Sequence, residues 1–524
     1  MEFQVQAAGR TEAALYHARK KINPVPVIAR EWFLRDSARE NVRGRRGFGG
    51  LGDELRVETM PKTVSFRHFL RDIFKVSVIT FFTRALGFAR EFFVAAFIGV
   101  GPVADAFALA LRAQILFRQS LVERALPIAF VPRHSEAEAI SEEAAEAFRQ
   151  KSVDAMAALA MLTSVFLLVG TPLIVHLLAP GFIGEPARVY RAYFLVAAVT
   201  AAIQFYMLGG MLLAFLQAKK KFIDSNLTLM VMNVVIVLAV LLTAVEDCWV
   251  PLGFIDTTGI LALGLFGAGL IQLTVAILLT RRAGLFPKPQ IKGLGLIPAF
   301  RLLGTIAPVS LVSFSLTGPI LLATRFVSDV EGAVAILFYA ERFVLIAPYF
   351  VGFAIANVLL PNLSGLIAQG AIAEARRLLI RTLFMAGGLG LVLWAGLIVA
   401  GHPALSLVFS RTQLGQDGVD AVWHALLWLS PLVPIRFCLQ PVMQFVFARK
   451  AMRVAFAAGF GGTLVTAIAF FALRSLLPDI IATACAAVVI GQFFQLLLPF
   501  LWMVADRGET DNGDTDHAME RESL

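Results

Sequence analysis

The stretch VSVITFFTRALGFAREFFVAAFI, residues 76–98, decides the fold class of this chain. A helix needs about 20 apolar residues to cross the ~30 Å hydrocarbon core of a bilayer, and this stretch is long enough. It nevertheless contains Arg84, Arg90 and Glu91. Because a charged side chain at the centre of a bilayer costs ~2.5–3.5 kcal/mol on insertion scales, we expect these groups to face other helices or water.

The whole chain has the composition of a membrane protein. Of its 524 residues, 58% are hydrophobic and only 16% are charged, and the mean hydropathy is +0.76. Soluble domains carry roughly 25% charged residues, so an ordinary soluble enzyme, a disordered chain and a nucleic-acid-binding protein are excluded. The net charge of +9 is then interpreted as a signal of membrane topology. The three cysteines share no pair spacing, which predicts neither a metal site nor a disulfide framework.

Eleven further stretches are apolar enough to cross the membrane, which predicts an all-α integral membrane fold with twelve spans. The predicted spans are 75–98, 103–132, 153–178, 190–216, 226–245, 259–280, 302–327, 333–361, 380–401, 421–447, 453–473 and 480–504. Seventeen lysines and arginines lie in or beside the connections after the even-numbered spans up to span 10, and four lie in the others. Since basic loops stay in the cytosol, both termini are predicted to be cytosolic.

The chain also repeats itself. Pro132 ends span 2 and Pro361 ends span 8, while Ala218 follows span 4 and Ala448 follows span 10. The two separations along the chain differ by only one residue, so the repeat has a constant offset. Each half contains six spans, so the two halves have the same orientation. We therefore predict two six-helix lobes related by a parallel pseudo-two-fold repeat, with a binding site between them.

The repeat and the composition predict four segments. Residues 1–59 are expected to form a flexible basic arm, or to be untranslated if the chain starts at Met60. Residues 60–290 form the N-terminal lobe and residues 291–506 the C-terminal lobe. Residues 507–524 are polar and are expected to be a disordered cytosolic tail.

Charges inside the predicted spans are the candidate functional residues. Arg84 and Glu91 are seven residues apart and share a helix face. Asp105 and Arg112 have the same spacing, and Glu123 lies eighteen residues, or five turns, beyond Asp105. The spacings predict intramembrane ion pairs, Arg84 with Glu91 and Asp105 with Arg112, and Glu123 and Glu341 are further predicted ion-pair acids. Ion pairs that join one helix to another are the alternative interpretation of these charges.

Four arginines do not fit the ion-pair interpretation as well, because cations outnumber the nearby acids. On a straight helix Arg118 lies off the Asp105 stripe, so either span 2 bends, for example at Pro127, or Arg118 faces something else. A cavity containing these cations would stay positive and would favour an anionic substrate such as a phosphate, which the arginine fork binds through two oxygens. The predicted substrate-binding residues are Arg84, Arg90, Arg118 and Arg342.

Span 7 contains a second kind of candidate. Gly318 and Pro319 lie in the middle of this span, where a Gly-Pro pair is a candidate hinge. Simple packing by small residues is the alternative interpretation.

Several ordered motifs together resemble one family. They are TRALGFARE (83–91), ADAF (104–107), Arg118 with Glu123, AFVP (129–132) and YAER (339–342). These motifs resemble the MviN/MurJ lipid II flippases of the multidrug/oligosaccharidyl-lipid/polysaccharide exporter superfamily, over about residues 70 to 505. The resemblance implies two lobes around a central cationic cavity, in the inner membrane of a bacterium.

The resemblance also implies a mechanism. The matched arginines are expected to meet the pyrophosphate and sugar head of an undecaprenyl-pyrophosphate-type lipid, while the matched acids Glu91, Asp105 and Glu341 support them. The lobes would alternate between two openings, and the lipid tail would stay in the membrane at a gap between spans 1 and 8. Either the membrane potential or an ion gradient would fit as the energy source. Besides membrane lipids, cell-wall synthesis enzymes are the other expected partners.

Some residues depart from the family pattern. Ala113-Gln114-Ile115 replaces a usual Leu-Pro-Asn, Arg124 replaces a glycine, and residues 451–455 lack the usual motif. The family generally adds spans 13 and 14, which form a groove for the lipid tail and are not among the twelve counted here. A flippase for another lipid-linked oligosaccharide, of the exopolysaccharide or O-antigen type, is therefore the alternative to one for lipid II.

Other functions fit the sequence less well. A drug or cation antiporter of the same superfamily should have unpaired acids in its cavity, whereas these spans are rich in arginine. A membrane enzyme would need acidic clusters or a His/Asp pair, but the histidines are scattered and no paired carboxylates occur. A scaffold has no need of deep arginines. We thus predict a transporter rather than an enzyme, with no cofactor and no metal.

Overall fold

The structure, a computed structural model, describes residues 66–219, 221–245, 256–287, 296–477 and 479–505, and every regular element in these ranges is helical. The predicted arm 1–59, a start at Met60 and the predicted tail 507–524 lie outside the described residues. The helices of the first half are α1 Phe66–Ile98, α2 Pro102–Phe117, α3 Leu126–Ile140, α4 Glu142–Val169, α5 Thr171–Leu178, α6 Pro186–Ala218, α7 Phe222–Thr243 and α8 Thr257–Arg282.

The second half contains eight more helices within the same described ranges. They are α9 Leu296–Val327, α10 Ala333–Val344, α11 Phe353–Ala368, α12 Ile372–Phe409, α13 Gly415–Leu429, α14 Leu432–Ala448, α15 Met452–Leu473 and α16 Ile480–Ala505. Each predicted span coincides with one of these helices or with two consecutive ones.

Local sequence signals set several helix ends. Pro102 and Pro186 lie in the first turns of α2 and α6, where a missing backbone N–H costs nothing. Ser141 caps α4, since its hydroxyl accepts the backbone N–H of Ala144 at 3.0 Å. Gly332 precedes α10 with φ of +80°, a left-handed conformation that favours glycine.

Two π-helical segments interrupt equivalent positions of the two halves. The first, Arg118–Ala125, joins α2 to α3, and the second, Pro348–Gly352, lies between α10 and α11. Their starts have the same offset along the chain as Ala218 and Ala448 of the sequence repeat. Span 2 therefore departs from a regular α-helix at Arg118 itself rather than at Pro127, and a wider π turn shifts every later side chain around the axis. The shift affects the residues after Arg118, so Arg118 stays off the Asp105 stripe, as the sequence predicts.

A test of length and hydropathy on the described helices finds fewer membrane-spanning helices than the twelve predicted from the sequence. Eight described helices are long and apolar enough to cross a membrane, and α13 with α14, bent by 47°, makes a ninth. The three other predicted spans contain α1, the α2–α3 pair and the α10–α11 pair. These are the spans that carry Arg84, Arg90, Arg118, Glu341 and Arg342, so charge is concentrated on a minority of the helices.

Packing follows the two halves of the chain. In the first half α6 packs against α2, α3, α4 and α8, while α7 packs against α1 and α8. In the second half α15 packs against α9 and α16, and α14 packs against α11, α12 and α16. Between the halves α2 packs against α10, α9 packs against α4 and the first π segment, and α1 contacts the second π segment.

Glycines let the helices of the second half approach closely. A Cβ on Gly318 would overlap the side chain of Thr463, and a Cβ on Gly491 would lie 2.6 Å from the carbonyl oxygen of Gly462. Gly318 thus serves the contact between α9 and α15, as the packing interpretation expected. The helix α9 continues through Gly318 and Pro319, and a hinge there stays a prediction.

Replacing Gly491 by Ala should destabilise the chain, because the new methyl group meets rigid backbone. We expect the free energy of unfolding to fall by about 1–3 kcal/mol, measured by thermal unfolding in detergent. Gly396→Ala is the control, since a Cβ there meets no atom within 4 Å and alanine favours a helix by about 0.8–1.0 kcal/mol. Equal unfolding temperatures for the two variants would contradict this packing.

A network of charged groups holds the helices at the end of the bundle where α3 and α6 end, which we call the basic end. Arg149 donates from Nη1 to Nε2 of His134 at 3.2 Å and from Nη2 to Glu142 at 2.9 Å. Lys219 forms an ion pair with Glu138 and lies 4.0 Å from a carboxylate oxygen of Glu142. The network therefore ties α3, α4 and the end of α6 together.

His134 is the titratable centre of this network and lies beyond the predicted end of span 2. Because an arginine only donates, Nε2 of His134 accepts and the ring proton is on Nδ1, 3.9 Å from Oε2 of Glu138. Burial of His134 and the charge of Arg149 lower the pKa of this histidine below its ordinary value of 6.5, and the charge of Lys219 acts in the same direction.

Acidification should therefore destabilise this end of the chain. The folded state favours neutral His134, so its contribution is fully present above pH 6.5 and is lost as the pH falls below that value. We expect His134→Gln to reduce the loss of thermal stability between about pH 7.5 and 5.5, whereas His176→Gln, at an exposed position, should leave it unchanged. Identical pH profiles for His134→Gln and the unmodified chain would exclude this role.

Candidate functional site

The two halves are joined at the end of the bundle where α2 and α10 begin, which we call the arginine-poor end. Asp105 accepts from Nη2 of Arg188 at 2.6 Å, from the backbone N–H of Gly332 at 2.7 Å and from that of Ala335 at 2.8 Å. Arg188 also donates to the carbonyl oxygen of Val330 at 2.9 Å. A carboxylate on α2 therefore caps the start of α10, where free N–H groups favour an anion.

Further contacts between the halves lie at the same end. The hydroxyl of Tyr339 donates to the carbonyl oxygen of Gly99 at 2.9 Å. The backbone N–H of Gln413 donates to the carbonyl oxygen of Ala96, also at 2.9 Å. Towards the basic end, α3 and α11 share no substantial packing in the described residues. The described contacts thus close the arginine-poor end more firmly than the basic end.

Deeper along α2, a buried ion pair also joins the halves. Nη1 of Arg112 donates to Oε2 of Glu341 at 2.8 Å, and the two residues are 3% and 7% exposed. The predicted pair between Asp105 and Arg112 is therefore wrong, because Asp105 pairs with Arg188 instead. The spacing argument compares residues of one helix, whereas Asp105 and Glu341 each accept from an arginine on a different helix.

Arg90 and Glu91 form a second buried pair. The adjacent side chains are bonded to each other, and Nη1 of Arg90 also donates to Oδ1 of Asn233 on α7 at 3.1 Å. Glu91 therefore pairs with its neighbour and not, as predicted, with Arg84 seven residues before it. Arg90 is only 4% exposed, so the packing of α1 against α7 fixes its guanidinium.

Arg84 contacts the second π segment. Nη1 of Arg84 donates to the carbonyl oxygen of Tyr349 at 3.2 Å. Arg342 lies within electrostatic range of Tyr349, Glu341 and Glu91. Tyr349 thus has an arginine of α1 and an arginine of α10 near it, and both arginine side chains are half-buried.

Arg118 and Arg90 both lie within electrostatic range of the buried Tyr206 on α6. The hydroxyl of Tyr206 accepts from Nε2 of Gln114 at 2.6 Å. Arg118 is half-buried and is the first residue of the first π segment.

Two further arginines belong with these four. Arg112, predicted only as an ion-pair residue, pairs with Glu341. Arg436 of α14, which sequence reasoning missed, lies within electrostatic range of the same carboxylate. Arg436 is a lone charge in the middle of predicted span 10, so the rule that identified Arg84 would also have identified it. We call the following six residues the arginine cluster: Arg84, Arg90, Arg112, Arg118, Arg342 and Arg436.

The chain matches known sequences over most of its length. The sequence profile described as "Lipid II flippase MurJ" matches residues 94–507. The "Probable lipid II flippase MurJ" of Rhizobium meliloti (strain 1021) is 30% identical over 426 residues, which are 79% of this chain and 77% of that protein. The corresponding protein of Rhizobium tropici is 30% identical over 379 residues, 70% of this chain and 68% of that one.

The chain belongs to the MurJ lipid II flippase family. This confirms the resemblance found in the motifs, and it confirms that the chain is of a transporter family rather than an enzyme family. A solved MurJ structure described as an inward closed conformation matches with a TM-score of 0.66 and 19% identity, over 82% of this chain and 87% of that one. An inward-facing multidrug transporter of the same superfamily matches with a TM-score of 0.65 and 13% identity, over 81% and 94%. These two likenesses confirm the two-lobed, twelve-span fold.

Within this MurJ-family fold, three of the four predicted acidic site residues have a described place. Asp105, Glu91 and Glu341 are buried and hydrogen-bonded to Arg188, Arg90 and Arg112, respectively. The side chain of Glu123 lies outside the described part of the structure, so its role stays a prediction.

An imprecise boundary of predicted span 4 is the reason that sequence analysis did not identify Arg188 as a membrane-buried residue. Predicted span 4 began at residue 190, which left Arg188 in a loop, whereas α6 begins at Pro186. Inside the helix its side chain is 1% exposed, and its guanidinium carbon lies 4.2 Å from the ring centre of Phe182.

Replacing Asp105 by Ala should destabilise the closed end, because it leaves the buried Arg188 without its carboxylate. We expect a loss of about 3–5 kcal/mol in the free energy of unfolding, measured by thermal unfolding in detergent. Asp420→Ala is the matched control at the same end, since the Asp420 carboxylate is exposed and pairs with the exposed His402. If Asp105→Ala unfolds at the same temperature as the control, the cap on α10 is not a structural contact.

Proposed function

We propose that this chain moves lipid II, the lipid-linked precursor of peptidoglycan, across the membrane and binds its diphosphate at the arginine cluster. One observation supports this proposal above all. Arginines from α1, α2, the first π segment, α10 and α14 are linked through shared partners, although these elements come from both halves of the chain.

The charge of the cluster favours an anionic substrate. It contains six arginines, and the described carboxylates Glu91 and Glu341 pair with Arg90 and Arg112. A high density of guanidinium groups on facing elements favours a multiply charged anion such as a diphosphate. Arginine also suits this ligand because its planar fork binds two phosphate oxygens at once.

The members of the cluster would have different tasks. Arg90 is buried and bonded to Glu91 and Asn233, so we assign it a structural role, in which its fixed charge contributes to the positive potential beside α1. Arg84, Arg118 and Arg342 are half-buried, and we assign them to the head group. Arg436, also half-buried, lies near Glu341 and would complete the contacts from the second half.

Transport would occur by alternating access between lobes 60–290 and 291–506. The contacts of Asp105, Tyr339 and Gln413 at the arginine-poor end support a state that is closed there. The distribution of basic residues supports a cytosolic basic end and cytosolic termini. A membrane potential would act on the buried charges with about 2.3 kcal/mol per charge per 100 mV, which makes the cluster a candidate place for energy coupling.

The test is complementation of a strain depleted of its own lipid II flippase. Arg84→Ala, Arg118→Ala and Arg342→Ala should each abolish rescue, and the corresponding lysine variants should rescue poorly because lysine cannot bind two oxygens at once. Arg411→Ala is the control, since this arginine is exposed at the arginine-poor end. Binding of lipid II to each purified variant, which we expect to weaken by about tenfold or more, separates loss of binding from loss of movement.

Two outcomes would contradict the proposal. Full rescue by all three alanine variants would exclude the cluster as the binding site. Failure of the unmodified, correctly inserted chain to rescue or to bind lipid II would exclude this substrate. Binding of another polyprenyl-diphosphate glycan in its place would then identify the alternative flippase function.

A further inference from the structure

The ion pair between Arg112 and Glu341 joins two helices, α2 and α10, that occupy equivalent places in the two halves. The separation of the two residues along the chain is the same as that between Pro132 and Pro361 of the sequence repeat. The contact between Asp105 and the backbone of Ala335 has the separation of Ala218 and Ala448, which is one residue longer. Each contact thus connects a position of α2 with its counterpart on α10 or with the residue next to that counterpart.

Such contacts have a geometric consequence. A two-fold operation moves every residue of one half to its counterpart in the other, and the distance between the two grows with distance from the axis. Counterparts therefore come close to each other only near the axis. Helices α2 and α10, which pack against each other across the two halves, are accordingly expected to lie beside the pseudo-two-fold axis.

A contact between two buried helices restricts which residues are tolerated there. Two like charges would repel each other in a buried place, whereas arginine on α2 and glutamate on α10 attract each other. Arg112 lies seven residues, or ~10 Å, beyond Asp105 along α2, so the pair seals the bundle just inside the closed end.

We propose that the Arg112–Glu341 pair is an interlobe lock, which holds the two lobes together in the state closed at the arginine-poor end and separates when that end opens. The proposal goes beyond the transport function, because the lock acts between the lobes whether or not a substrate is present. It assigns to Arg112 a contact with the opposite lobe rather than with the head group.

The environment of Glu341 predicts an asymmetry between the two partners. Its carboxylate is the shared counter-charge of Arg112, Arg342 and Arg436. Glu341→Gln leaves three arginines to repel one another across the lobe boundary, whereas Arg112→Met leaves Glu341 with two cations of its own lobe. Both variants lose the lock, and Glu341→Gln should open the end further.

The test measures the distance between the lobes directly. Nitroxide labels at Tyr190 on α6 and Leu407 on α12, both exposed at the arginine-poor end, report its opening in a chain whose cysteines are replaced by alanine. In detergent without substrate we expect Arg112→Met to raise the ratio of long to short distances by about tenfold, and Glu341→Gln by more. Arg112→Lys, which keeps the charge, should retain a mostly short distance.

The matched control is Arg149→Gln. Arg149 is as buried as Arg112, at 3%, but its ion pair with Glu142 lies within one lobe. It should leave the label distance unchanged. If a single variant does not fold, the double variant Arg112→Met with Glu341→Gln removes both buried charges and should still show the longer distances.

Two results would overturn the lock: short distances in every folded variant, or equal opening by Arg149→Gln. Neither result would affect the proposed function, because no substrate is present in this measurement. Conversely, a chain that fails to bind lipid II could still show the lock, so the two proposals fail independently.

Discussion

The cost of placing guanidinium groups inside an apolar bundle is the constraint on which this structure depends. A buried charge without a partner is expensive, and a buried pair is tolerated only when its hydrogen bonds are well made. In two of its buried pairs the chain places the acid and the base on different helices. Asp105 with Arg188 and Arg112 with Glu341 therefore fix the relative positions of α2, α6 and α10 as well as neutralising charge.

The internal repeat explains where these pairs lie. The π segments begin at equivalent positions of the two halves, and each packs against the first helix of the other half, α9 or α1. A π turn widens the helix and redirects the side chains that follow it. Arg118 lies at the start of the first π segment and Tyr349 lies within the second, so the interruptions bring polar groups of both halves towards the same region between the lobes.

The sequence predicts the helices well and their partners poorly, for a physical reason. Hydropathy and the basic loops identify all twelve spans, because burial in lipid constrains every residue of a span. The partner of Arg112 lies in the other half of the chain, and no pattern within one helix can indicate it. The π segments depend on contacts between halves in the same way. Arg436 is different, since a lone arginine in predicted span 10 is visible in the sequence itself.

The same two helices serve both the closed end and the arginine cluster, and this has a consequence for coupling. Helix α10 begins at the cap made by Asp105 and carries Glu341 and Arg342 two turns later. An anion that approaches Arg342 would repel the carboxylate of Glu341, which neutralises Arg112 of the other lobe. An anion bound at the arginine cluster would then weaken the Arg112–Glu341 pair that holds the lobes together. Helix α10 would thereby couple occupancy of the cluster to opening of the arginine-poor end.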